Sequence, residues 1–260
     1  MNRIDHTFEQ LKQQEQKALI TFVTCGDPDL EMTEKLVIEM ERSGADIIEL
    51  GIPFSDPIAE GPVIQQASLR ALKNGTTLVK IFGMVKRLRK QVQIPLLMMM
   101  YINTIFRFGT QRFFNLCKEC GIDGVIVPDM PFEEQDEVQA YAEQAGVYSI
   151  SLVAPTSQQR IQMIAQQSKG FLYCISSAKE TGACQEFSTD SDVLFHTINQ
   201  YSTIPTAIEL DVSSSEQVQK IKQYCDGVIV GSAIVEKVAE YGKDAIAPVS
   251  ELIRRLKAEL

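Results

Sequence analysis

Eight short apolar runs punctuate this chain, and each is followed by a stretch whose apolar residues recur three and four positions apart. The runs cover residues 19–24, 47–51, 95–101, 124–127, 148–154, 171–175, 206–210 and 227–230. They are rich in Val, Ile, Leu and Met and lack clean polar alternation, as parallel strands buried on both faces do. Between them, Leu36, Val37 and Met40, then Phe113, Phe114 and Cys117, then Val218, Ile221 and Tyr224 mark the inner stripes of amphipathic helices. Gly44, Gly121 and Gly146 stand where a helix hands over to a strand and a left-handed C-terminal cap is wanted. Ser213-Ser214-Ser215-Glu216 reads as a capping box.

Eight strand–helix units in 260 residues match the size and rhythm of a (β/α)8 TIM barrel. No linker or break in composition divides the chain, so residues 1–260 are expected to form a single domain. The competing architecture is a doubly wound open sheet, which ordinarily carries a Gly-rich turn after its first strand. Here that turn is Cys25-Gly26-Asp27-Pro28. Residues 1–15 add an extra N-terminal helix with Ile4, Phe8 and Leu11 on one face, expected to plug the N-terminal mouth of the barrel.

A formal charge of −9 argues against a nucleic-acid groove or an anionic membrane surface as the main partner. The one basic cluster, Lys86-Arg87-Leu88-Arg89-Lys90, is read as the solvated face of a helix. The most hydrophobic uncharged stretch, residues 94–106, contains Pro95, Asn103 and Thr104, and is too short and polar to span a bilayer. The charged first fifteen residues do not resemble a secretory signal. Six cysteines, at 25, 117, 120, 174, 184 and 225, are too dispersed for a disulfide framework and suit a reducing cytoplasm. Cys117 and Cys120 have redox spacing, but with only two histidines in the chain helix packing is the expectation and no metal site is indicated.

Active sites of such barrels gather at the C-terminal ends of the strands. Strand two ends Glu49-Leu50-Gly51-Ile52-Pro53-Phe54-Ser55-Asp56-Pro57, with a carboxylate inside an otherwise apolar run. Pointing inward, Glu49 would be desolvated and its proton held, which suits proton transfer near neutral pH; pointing outward, it would be a paired surface group. The next segment, Ile58-Ala59-Glu60-Gly61-Pro62, brings a second carboxylate towards the same mouth.

These two segments together resemble the signature of the tryptophan synthase alpha subunit family. Phe22-Val23-Thr24-Cys25-Gly26-Asp27-Pro28 is similar to its strand-one turn, Tyr101-Ile102-Asn103 to its strand-three end, and Val127-Pro128-Asp129-Met130-Pro131 to its strand-four loop. Gly231-Ser232-Ala233-Ile234-Val235 is similar to its strand-eight phosphate loop. The resemblance implies a lyase of tryptophan biosynthesis that cleaves indole-3-glycerol phosphate by a retro-aldol reaction into indole and glyceraldehyde 3-phosphate. It implies no cofactor in this chain. Indole would pass through a tunnel to a pyridoxal-phosphate-dependent beta subunit, in an allosteric alpha–beta–beta–alpha heterotetramer. Glu49 would be the acid and base, and Glu60 would hold the indole N–H. Phe22, Ile64 and Tyr101 would sandwich the indole, with Tyr173, Thr181, Gly182, Gly231 and Ser232 completing the substrate site. Pro53, Phe54, Asp56, Pro57, Asn103, Asp129 and Pro131 would face the beta subunit.

Three departures from the family pattern bear on activity. Glu60 stands where the family usually has Asp, one methylene shorter. A Gly-Phe-Gly stretch after strand seven is replaced by Glu209-Leu210-Asp211-Val212-Ser213, which would either bring carboxylates beside a dianionic phosphate or leave it tolerable, with Glu209 paired elsewhere and Asp211 bonded to the N-terminus of the seventh helix. In the loop after strand six, Ser177 replaces an Arg and Lys179 a flexible Gly. These departures open a second reading, a catalytically impaired alpha homologue retained as an allosteric activator of the beta subunit. A third is a barrel with an altered substrate lacking the phosphate.

Overall fold

In the computed structural model, which describes residues 1–154, 158–175, 195–198, 200–210, 218–219 and 221–260, eight parallel strands close into a barrel in sequence order. They are β1 (Ala18–Thr24), β2 (Ile47–Gly51), β3 (Leu96–Met99), β4 (Gly124–Ile126), β5 (Tyr148–Val153), β6 (Leu172–Ile175), β7 (Thr206–Leu210) and β8 (Gly227–Val230). Each of the eight apolar runs became one of them. Following the register once round the circuit returns to β1 eight residues lower, the stagger of a (β/α)8 barrel. No open sheet edge remains, and the doubly wound alternative is excluded.

Helices among the described residues include α1 (Arg3–Gln13), α2 (Leu30–Arg42), α3 (Pro62–Lys73), α4 (Leu78–Leu88), α5 (Ile102–Phe108), α6 (Thr110–Cys120), α7 (Asp136–Ala145), α8 (Gln158–Gln167), α9 (Ser232–Tyr241) and α10 (Ile246–Ala258). Outward strand residues such as Leu19, Val23 and Leu50 pack beneath the helices with Leu36, Val37, Met40, Phe113 and Cys117. Gly121 and Gly146 adopt the left-handed cap at the ends of α6 and α7. Cys117 and Cys120 are buried in this shell. Residues 213–216, read as a capping box, lie outside the described residues.

Inward residues fill the lumen separately. Ile20, Ile47, Leu97, Ile126, Ile150, Phe171, Ala207 and Ile229 form one cluster, and Ile4, Phe8 and Leu11 of α1 enter it from below. Phe8 meets Phe171 at 5.7 Å between ring centroids. Asn2 caps α1 through Ile4 N and donates to the carbonyl of Asp123, so the plug is pinned to the start of β4.

The basic cluster requires a correction. Lys86, Arg87 and Lys90 are exposed, but Arg89 turns inward, its side chain 11% exposed, and donates to Asp123 and to the carbonyls of Gly121 and Ile94. Burial pulls its guanidinium down to about 10. Asp123 also takes Arg3 and the Leu96 amide, joining α1, β3 and β4 at the N-terminal end. A five-residue run read by composition alone does not reveal that one member lies on the inner side of the helix end. Among the described residues no helix is long and apolar enough to cross a membrane.

Candidate active site

Strand parity decides which side chains reach the lumen. Ile47 belongs to the inner cluster, so Glu49, two residues on, also points inward, and it is fully buried. In register it lies between Phe22 of β1 and Leu97 of β3. The inward reading of Glu49 is therefore the correct one.

Phe22 is positioned by what is missing beside it. A Cβ on Gly51 would sit 2.2 Å from Phe22 Cζ and 2.6 Å from Cε2, so the ring occupies the space that any side chain at 51 would need. Around it pack Ile64 and Ala67 of α3 and Val235 of α9. Phe22 and Ile64, expected to form the indole wall, are thus brought together.

Tyr101 follows β3, with its ring stacked on Phe54 at 4.9 Å. Its hydroxyl accepts from the amides of Ile58 and Ala59, both at 2.8 Å, and donates to Glu60 Oε2. One proton and two lone pairs are all a phenol offers, so this hydroxyl is fully used in holding the loop after β2. Burial, and then the bond to Glu60, push the phenol up to about 12. The sequence reading assigned Tyr101 only an apolar contact; nothing local signals a hydroxyl that reaches 41 residues back.

Glu60 is half-buried, and its backbone carbonyl accepts from Gln65. Its side chain, one methylene longer than Asp, places the carboxylate on the Tyr101 hydroxyl. A carboxylate has lone pairs to spare beyond this bond. Asp27, 2% exposed, is gripped bidentately by Arg70 at 2.8 Å on both bonds, which ties the turn after β1 to α3. Neither partner of that clamp was singled out from the sequence.

Gly231 precedes α9, and Ile234 and Val235 bond back to the Gly231 carbonyl. Ser232 is the first residue of α9, so a helix N-terminus opens directly at the C-terminal end of β8. Such a terminus favours an anion through its amides and dipole.

The strand-seven expectation is corrected. Glu209 is not in the loop after β7 but in the strand itself, paired with Ile175 and Ile229 and inward by parity with Ala207. There it accepts a hydrogen bond from Tyr173, which is 1% exposed. Burial, with Glu209 and Glu49 nearby, pushes the Tyr173 phenol well above its ordinary value. Thr181, Gly182, Ser177, Lys179 and Asp211 lie outside the described residues.

Loops at the same end carry the residues expected to face a partner. Pro53, Phe54, Pro57 and Asp129 are half-buried, and Asp56, Asn103 and Pro131 are exposed. Asp129 accepts from the Ile102 amide at 2.9 Å, joining the loop after β4 to the start of α5. Beside them, a cavity of about 480 Å³ is lined by Asp129, Met130, Phe132, Leu152, Arg160 and Ile175, among others.

A family model described as the tryptophan synthase alpha chain matches residues 8–259. This chain belongs to the tryptophan synthase alpha chain family. The alpha chain of Thermoanaerobacter sp. (strain X514) is 46% identical over 259 residues, covering 99% of this chain and 97% of the relative. The alpha subunit structure from Legionella pneumophila superposes with a TM-score of 0.90 at 36% identity, covering 100% of this chain and 98% of the other. A chain of the Pyrococcus furiosus tryptophan synthase α2β2 complex gives 0.85 at 34% identity, covering 93% and 98%. A tryptophan synthase alpha chain is the indole-3-glycerol phosphate lyase subunit, while pyridoxal phosphate belongs to the beta chain. The resemblance seen in the sequence and the barrel seen in the structure therefore agree.

Proposed function

We propose that Glu49 is the acid and base of indole-3-glycerol phosphate cleavage, with Glu60 as the group that holds the indole N–H. The observation that carries this is a fully buried carboxylate, inward-facing at the mouth, beside the Phe22–Ile64 wall and below a Glu60 anchored by Tyr101. The Glu49 carboxyl gives its proton to indole C3, leaving positive charge on the ring nitrogen that the Glu60 carboxylate stabilises. The Glu49 carboxylate then takes the proton of the glycerol hydroxyl next to the ring. The bond from that carbon to C3 breaks, its electrons return to the ring, and indole and glyceraldehyde 3-phosphate result. Glu49 ends protonated, ready for the next cycle.

Gly231 and Ser232 at the N-terminus of α9 would receive the phosphate, joined by Thr181 and Gly182; Phe22, Ile64, Tyr101 and Tyr173 would enclose the indole. Pro53, Phe54, Asp56, Pro57, Asn103, Asp129 and Pro131 would form the face towards a pyridoxal-phosphate-dependent beta subunit. On this reading residues 1–260 form one barrel domain of a cytoplasmic α2β2 enzyme. The bonds of Tyr101 to the loop after β2, and of Asp129 to α5, couple that face to the site.

Steady-state cleavage of indole-3-glycerol phosphate by the chain, alone and with a beta subunit, tests the assignment. Glu49→Gln is expected to lower kcat by about 10²-fold or more, the range of a lost general acid–base group, with little change in KM. A Glu49→Gln variant that cleaves at the wild-type rate would remove Glu49 from the chemistry.

A further inference from the structure

Among the described residues, the upper lumen holds a carboxylate that the cleavage scheme does not use. Glu209 stands at the end of β7, inward-facing, and accepts the hydrogen bond of Tyr173 from β6. Glu49, on β2, is within electrostatic reach of the same phenol. Other titratable groups at this end of the barrel include Glu60 and Tyr101 on the loops above, bonded to each other, and Asp129 and Arg160, which line the cavity beside Ile175. Tyr148 belongs to the opposite end, where it donates to Asp5 of α1.

We propose that Glu209 is a positioning residue for the cleavage: it fixes the Tyr173 ring at the substrate pocket and keeps the Tyr173 hydroxyl proton away from Glu49. The proposal rests on the assignment of Glu49 as acid and base. A phenol has one proton to donate. Spent on Glu209, it is withheld from the Glu49 carboxylate, whose charged form it would otherwise stabilise. The Glu209 charge acts in the same sense, because a second negative charge in an apolar lumen disfavours ionisation of the first. Both effects keep the proton on Glu49 until indole C3 receives it. A carboxylate that looks misplaced beside a phosphate site thus has a role one layer deeper, among the strands.

Two variants separate the effects. Glu209→Gln keeps an acceptor for Tyr173 and removes the charge; Glu209→Leu removes both at similar volume. The readout is the pH profile of kcat/KM for indole-3-glycerol phosphate with the full chain. Release of glyceraldehyde 3-phosphate can be followed by coupling it to a nicotinamide-dependent dehydrogenase. Glu49 begins the reaction protonated, so its titration forms the alkaline limb. In Glu209→Gln that limb is expected to move to lower pH by about one unit, the scale of a lost like-charge neighbour. In Glu209→Leu, kcat is expected to fall about tenfold further, with a smaller change in KM, because a released ring is misplaced in the pocket.

Thermal melting of Glu209→Gln shows whether the comparison is between folded proteins. An alkaline limb in that folded variant unmoved from wild type overturns the proposal, whatever the rate. A wild-type chain that fails to cleave the substrate, or a fully active Glu49→Gln, overturns the Glu49 assignment instead. An active wild type with an unmoved Glu209→Gln limb overturns only the role of Glu209.

Discussion

Replacing Gly51 by Ala tests how the indole wall is built. The backbone at Gly51 does not have a positive φ, so the substitution brings no conformational strain of its own. The conflict is between the new methyl group and the Phe22 ring, whose nearest atoms lie 2.2 and 2.6 Å from an ideal Cβ. Ordinary contact begins near 3.4 Å, so the ring must withdraw by about 1 Å, a distance that follows from treating the interior as close-packed. Phe22 is 5% exposed and packed against Ile64, Ala67 and Val235, so the movement must disturb these neighbours or carry the ring into the indole pocket. Overpacking of this kind costs about 1–3 kcal/mol, and the stiffer unfolded chain returns about 0.4–1 kcal/mol. A net loss of about 1–2 kcal/mol lowers Tm by about 2–8 °C in a chain of this length.

The effect on rate should be larger. A wall displaced by about 1 Å is expected to lower kcat/KM about 10²-fold. The assays are thermal melting and steady-state cleavage of indole-3-glycerol phosphate. Adding Phe22→Leu to Gly51→Ala should restore Tm, since the shorter side chain vacates the contested volume, without restoring the rate. Gly51→Ala with an unchanged Tm and kcat/KM would show that Phe22 has room to spare and that the glycine does not shape the pocket.

Other perturbations address the rest of the structure. Tyr101→Phe removes two accepted bonds and one donated bond from the loop after β2; stability should fall by about 1–2 kcal/mol, and kcat/KM by about tenfold or more as Glu60 is released. Glu60→Asp restores the usual family residue but shortens the reach to Tyr101, so cleavage should slow, and an unchanged or faster reaction would refute the anchoring. Asp123→Ala leaves Arg89 buried without its counter-charge and should cost about 3–5 kcal/mol by urea unfolding; Arg3→Ala, from a side chain 46% exposed, should cost well under about 1 kcal/mol. Phe8→Ala opens a cavity beneath Phe171 and should cost about 3–5 kcal/mol, while cleavage at the far mouth continues in whatever fraction stays folded.

Much of the site was legible because its key residues sit on strands or next to them, where parity can be counted. Glu49 interrupts an apolar run two residues after Ile47, and its direction follows from that alone. The retained loop motifs carried the family resemblance, which the comparisons bear out. Glu209 was misplaced for the same reason that Glu49 was placed well. An acid near a strand end was assigned to the loop, although the apolar run through Leu210 already included it. Gly51 carried a legible signal, since a glycine within a strand often marks a close approach by another group, but the identity of that group was not available locally.

The sequence by itself determined the eight strands, the order of the helices between them and the plug formed by α1. Each of these depends on residues within one or two turns of one another, and their hydrophobic period is written locally. Only the tertiary structure decided that the Tyr101 hydroxyl holds Glu60, that Tyr173 bonds to Glu209, that Phe22 fills the space above Gly51, and that Arg89 turns in to Asp123. These contacts join residues 29 to 41 positions apart. They arise when the barrel closes and sets neighbouring strands in register, so they depend on shape and distance in the closed lumen, which no local pattern of hydrophobicity or charge encodes.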